Sequence, residues 1–138
     1  MRKLIIPVAV VSVFMAAEVF ACSCAPPPPP KEALAASSAV FTGKVVAVED
    51  VGDFQRSVTI EVASSWKGVK AKTVTVKTAK DSAACGYGFE KGKSYLVYAR
   101  EVKEGEAKVL STNLCSRTRT LAEAKEDLAA LGDAVKPE

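Results

Sequence analysis

Val58-Thr59-Ile60-Glu61-Val62 and Thr73-Val74-Thr75-Val76-Lys77-Thr78 carry apolar residues at every second position. That alternation predicts two strands, each with one buried face. Residues 40–48, 95–99 and 108–111 are rich in β-branched or aromatic side chains and predict three more. Gly52, Gly68, Gly92 and Gly105 fall near the ends of these segments and mark turns. Helical spacing shows at two places. Lys31-Glu32-Ala33-Leu34-Ala35-Ala36 predicts a short helix whose start the preceding prolines tolerate. Leu121, Ala124, Leu128 and Leu131 share one face of a helix predicted over 120–131. Thr120 and Glu123 form its capping box and Gly132 its C-terminal cap. Glu123, Lys125, Glu126 and Asp127 fall to its solvent face. Five strands flanked by a short N-terminal and a C-terminal helix predict a mainly β fold, a five-stranded barrel of the OB type. No internal repeat and no second domain is visible.

The beginning of the chain follows a different pattern. Arg2 and Lys3 precede an apolar run over residues 4–17, and Val19-Phe20-Ala21 offers a cleavage site before Cys22. A basic, then apolar, then small-residue order predicts a signal peptide over residues 1–21 and one folded domain over residues 22–138. The apolar run falls short of the roughly 20 residues that span a bilayer, which argues against an uncleaved anchor. A lipid anchor on Cys22 is a second alternative, disfavoured by the bulky Phe20 beside the cut. The mature protein is expected to be secreted, extracellular or periplasmic, with no membrane association.

Composition narrows the chemistry. The 138 residues contain no histidine. That excludes Ser-His-Asp and Cys-His nucleophilic sites and any zinc site built on imidazole. The net charge of +3 is spread along the chain without a basic block, so nucleic acid is not an expected partner. No carboxylate pair has a spacing that marks acid–base work.

Four cysteines in an exported chain of this size imply disulfides, with three possible pairings. A Cys22–Cys24 bond would close a very tight ring. The other two pairings tie Cys22 and Cys24 to Cys85 and Cys115, and spacing does not choose between them. Each bond closes a long loop, worth about 4 kcal/mol in the chain-entropy model. Either way the first three mature residues are locked to the body. Termini are normally loose, so two bonds at one terminus point to a function there. Residues 26–30 are all proline and predict a stiff polyproline II rod just beyond.

These residues resemble a known family. Cys22-Ser23-Cys24-Ala25-Pro26 at a signal-cleaved terminus resembles the Cys-(Ser/Thr)-Cys-x-Pro start of the tissue inhibitors of metalloproteinases (TIMPs). The likeness continues through Ala39-Val40-Phe41-Thr42-Gly43-Lys44-Val45 and Ser65-Trp66-Lys67-Gly68. It extends to Ser82-Ala83-Ala84-Cys85-Gly86-Tyr87, Tyr95-Leu96-Val97-Tyr98-Ala99 and Thr112-Asn113-Leu114-Cys115, covering nearly all of residues 22–131 in the family's order. It implies a netrin-like OB barrel with disulfides Cys22–Cys85 and Cys24–Cys115, in a single-domain, bacterial-type member. Leu34 stands about where the family carries a cysteine of a third disulfide, and the run of prolines is also a departure.

The resemblance further implies a role for each residue at the terminus. Cys22 would bind the catalytic zinc of a target metalloprotease through its α-amino nitrogen and carbonyl oxygen. Ser23, Cys24, Ala25 and Pro26 would lie along the protease cleft, with Ala83 and Ala84 beside them. The resemblance thus implies a non-enzyme with no cofactor of its own, whose partner is a zinc metalloprotease that supplies the zinc, and the inhibitor is expected to be monomeric. The rivals are a netrin-like binding module without inhibitory activity and a thiol–disulfide enzyme using Cys22 and Cys24. Trp66 is expected to pack at the barrel rim. Tyr87 would either join the contact ridge or cover a disulfide. Lys67, Lys70 and Lys72 read as a solvated turn.

Overall fold

The computed structural model describes residues 21–138. The expected signal peptide, apart from Ala21, lies outside the described residues. Six strands form one sheet: β1 (Ala39–Val51), β2 (Gln55–Lys67), β3 (Thr73–Ala79), β4 (Ser94–Glu104), β5 (Ala107–Ser111) and β6 (Arg119–Thr120). Two helices flank them, α1 (Pro30–Ala36) and α2 (Lys125–Leu131).

The sheet order is β1-β2-β3-β5-β4-β6, and β1 also pairs with β4. The five strands β1 to β5 therefore close into a ring, which is the expected barrel. Closure depends on β1, whose register shifts at Val40/Phe41, Thr42/Gly43 and Val45/Ala47 against β2. Bulges bend and twist a strand, so one long strand reaches β2 along its whole length and β4 along its first half. The seam between β3 and β5 is short and parallel, pairing Val76 with Leu110 and Lys77 with Ser111. The two-residue β6 was not expected; it adds to the outer edge of β4 through Tyr95↔Thr120 and Leu96↔Arg119.

Two apolar clusters follow from the pleat. Phe41, Val45, Val58, Ile60, Val76, Tyr95 and Val97 fill the barrel. Val40, Leu96 and Tyr98 point the other way and meet Ala33 and Ala124 of the helical layer. β1 and β4 are buried on both faces there, which is why Ala39-Val40-Phe41 and Tyr95-Leu96-Val97-Tyr98 read as unbroken apolar runs. Leu34, Leu128 and Leu131 pack against the second cluster. An apolar contact thus occupies the place of the cysteine that the family resemblance led one to expect. Trp66 packs there too, and its Nε1 donates to the Gly132 carbonyl at 3.0 Å.

The last helix differs from expectation in two ways. It begins at Lys125, after a separate 3-10 turn at Leu121–Glu123. The Thr120 hydroxyl bonds the Glu123 carboxylate at 3.0 Å instead of a backbone N–H, so no capping box forms. Asp127, assigned above to the solvent face, is completely buried. Lys67 is no simple turn lysine either: its ammonium donates to the carbonyls of Leu34 and Ala35 at the end of α1.

Candidate functional site

The predicted terminus is assembled by two adjacent disulfides, Cys22–Cys85 and Cys24–Cys115, each with a Cα–Cα separation of 5.1 Å. The Cys115 sulfur lies 3.7 Å from that of Cys22 and 4.0 Å from that of Cys85, so the bonds stack as one knot. The sulfurs of Cys22, Cys24 and Cys115 fall within 4.8 Å of one another, but all are consumed in disulfides and offer no thiolate for a metal. Cys22 and Cys24, the pair a redox-enzyme reading would use, are not bonded to each other but each to a separate loop.

Each partner cysteine is held by its own loop. Cys85 closes the 3-10 turn Ser82–Ala84 in a left-handed conformation with φ 64°, the sole positive φ outside glycine among the described residues. Its carbonyl accepts the Leu114 N–H at 2.8 Å, which joins the two cysteine loops. Gly86 follows under tight constraint. A Cβ there would lie 2.1 Å from the Ala79 carbonyl oxygen and 2.9 Å from that of Asp81. Gly86→Ala is expected to cost about 1–3 kcal/mol or more by overpacking, read as a lowered urea midpoint. An unchanged midpoint would show that the loop has slack.

Cys115 sits on a segment fastened to β4 by hydroxyl groups. Thr112 Oγ1 donates to the Tyr98 carbonyl at 2.8 Å, and Thr118 Oγ1 accepts the Tyr98 N–H at 3.0 Å. Asn113 Oδ1 accepts the Cys115 N–H at 2.9 Å. These bonds fix the loop without an apolar core of its own.

From this base the predicted contact residues project outward. Cys22 is half-buried, while Ser23, Cys24, Ala25 and Pro26 are exposed, as are Ala83 and Ala84. The Cys22–Cys85 bond draws the two exposed segments together. Tyr87 is half-buried, two residues beyond Cys85. It turns into an aromatic cluster with Phe89 and Tyr95, at ring separations of 4.7 and 5.8 Å. Burial, then the neighbouring Tyr95, pushes its hydroxyl up to about 12.

Sequence reasoning missed a polar centre behind the ridge. Arg117 Nε and Nη2 donate to the two Asp127 oxygens at 2.7 Å each, and the Tyr98 hydroxyl donates to Asp127 Oδ2 at 2.8 Å. Arg117 Nη1 donates to the Pro28 carbonyl at 3.1 Å. Burial pushes the Asp127 carboxyl up, but the hydrogen bonds from Arg117 and Tyr98 outweigh it and hold the group below its ordinary 3.8. A signal existed: Asp127 stands three residues after Ala124 and four before Leu131, the spacing of the buried face itself.

No helix among the described residues is long and apolar enough to cross a membrane. A search of curated proteins returned no match to the chain. The family model described as tissue inhibitor of metalloproteinase matches residues 20–130. With that match over most of its length, and the two disulfides implied by the resemblance formed, the chain belongs to the tissue inhibitor of metalloproteinase family, a family of inhibitors and not of enzymes.

Proposed function

We propose that the protein is a secreted inhibitor of zinc metalloproteases, acting after removal of residues 1–21 exposes the α-amino group of Cys22. The observation that carries this reading is the exposed ridge of residues 23–26, bolted by two disulfides beside exposed Ala83 and Ala84.

The chemistry is that of a chelate. Catalytic zinc keeps an open position holding water. The amine nitrogen and carbonyl oxygen of Cys22 are the two donors that would take the place of that water, because one residue carries both within chelating reach of each other. An ordinary α-amino group has a pKa of about 7.7–8.0, so shedding its proton near neutrality costs little. The zinc belongs to the protease; the inhibitor supplies only its own backbone. Ser23 points into the specificity pocket beside the metal. Ala25 and Pro26 follow the cleft, and Ala83 and Ala84 line its other side. Because the disulfides fix the ridge before binding, little ordering entropy is lost on association.

The test is inhibition of a small panel of zinc proteases by the signal-cleaved protein. Folded, doubly disulfide-bonded protein that inhibits none of them would leave the netrin-like binding module as the reading. Acylated Cys22 in the natural product would also overturn the chelate, because an amide nitrogen does not ligate zinc.

A further inference from the structure

The two disulfides hold Cys22 and Cys24, but the prolines beyond them present a different mechanical problem. Residues 26–30 carry no backbone N–H, so this segment can be tied to the body only through carbonyl oxygens or apolar packing. Packing is scant at its middle. Pro27 and Pro28 are exposed and border an open cleft of about 370 Å³, shared with Arg100, Thr112, Asn113 and Arg117. Pro30 is buried and Pro29 O accepts the Ala33 N–H at 2.9 Å, which secures the end that enters α1. Among the described residues, the one hydrogen bond that ties the segment between Cys24 and Pro29 to the body is from Arg117 to the Pro28 carbonyl.

Arg117 is well placed to make it. It lies two residues beyond Cys115, the disulfide partner of Cys24, so both ends of residues 24–28 are tied to one short segment. The other two guanidinium nitrogens, Nε and Nη2, each donate to an Asp127 oxygen, and that carboxylate also accepts from Tyr98. The planar fork of arginine leaves the third nitrogen aimed in a fixed direction. Resting on the inhibitor reading above, we propose that Arg117 is a positioning residue for the ridge: it pins Pro28 to the body and α2 and so sets the direction in which Ala25 and Pro26 leave Cys24. In the polyproline II form expected of consecutive prolines the chain is extended, about 3.1 Å per residue, so a swing at Pro28 would be carried along to Pro26.

The experiment uses the signal-cleaved, doubly disulfide-bonded protein and two variants. Arg117→Lys keeps a cation for Asp127 but lacks the fork that also reaches Pro28. The triple variant Arg117→Met/Asp127→Leu/Tyr98→Phe replaces the buried polar centre with apolar groups, an exchange proteins often tolerate. Backbone 15N relaxation is read at Ala25 and at Ser23. In whichever variants fold, Ala25 is expected to drop from a rigid order parameter of about 0.85 to below about 0.6. Ser23, held between two disulfides, is expected to stay rigid. Inhibition of a protease sensitive to the wild type is expected to weaken about tenfold, mainly through slower association. Ala25 as rigid as in the wild type would overturn the pin, and so would loosened Ala25 with unchanged inhibition. A wild type that inhibits nothing sinks the inhibitor reading separately, because the relaxation measurement needs no protease.

Discussion

One alanine added before Cys22 of the signal-cleaved protein is expected to weaken inhibition of a sensitive zinc protease by about a thousandfold or more, equivalent to ~4 kcal/mol. Three effects act together. The α-amine becomes an amide nitrogen, whose lone pair is delocalised into the carbonyl and does not ligate a metal. The added residue occupies the space in which the zinc would sit. The ridge has no freedom to retreat, because Cys22 and Cys24 are bonded to Cys85 and Cys115. The fold should not notice the change, since Ala21, the residue that stands before Cys22 in the precursor, is exposed. Thermal melts of extended and native forms are expected to coincide while their inhibition constants separate. Equal inhibition by both forms would sink the chelate and leave contact along residues 23–26 as the source of binding.

How much of this was legible in the sequence depended on whether the signal was local. The alternation in β2 and β3 gave their positions because each strand buries one face. The cysteine spacing left two pairings open, and the family resemblance chose the one that forms. Two features escaped for the same reason. The two-residue β6 exists only because β4 offers it an edge, and nothing in Arg119-Thr120 announces a strand. Asp127 looked solvent-facing because aspartate is almost never fully buried unless paired. Its partner stands ten residues upstream on an irregular segment, and its second partner is a tyrosine of β4. The capping box failed more locally: the Thr120 hydroxyl met the Glu123 side chain, and the true helix begins at Lys125, five residues beyond Thr120.

Asp127→Ala is expected to be the most damaging single substitution in the helical layer, lowering stability by about 3–5 kcal/mol. The loss comes from what is left behind more than from what is removed. Arg117, only 8% exposed, would keep its charge with no counter-ion, and the Tyr98 hydroxyl would lose its acceptor. Domains are stable by only about 5–15 kcal/mol in all, so urea denaturation should show a large fall in midpoint. Arg117→Met/Asp127→Leu/Tyr98→Phe is expected to recover most of it, because the apolar trio avoids the desolvation of the pair and leaves no buried hydroxyl without an acceptor. A triple variant as unstable as Asp127→Ala would show that the polar centre itself contributes net stability. Acid separates the two contributions further. The folded carboxyl titrates below its ordinary 3.8, so the unfolded chain takes up the proton first. The stability Asp127 confers is therefore full above that ordinary value and is lost as pH falls through the lower folded one. Wild-type stability should fall more steeply below about pH 4 than that of Asp127→Asn, which has no proton to gain there. Parallel acid profiles would mean that Asp127 is no better held as an anion in the folded protein than in the unfolded chain.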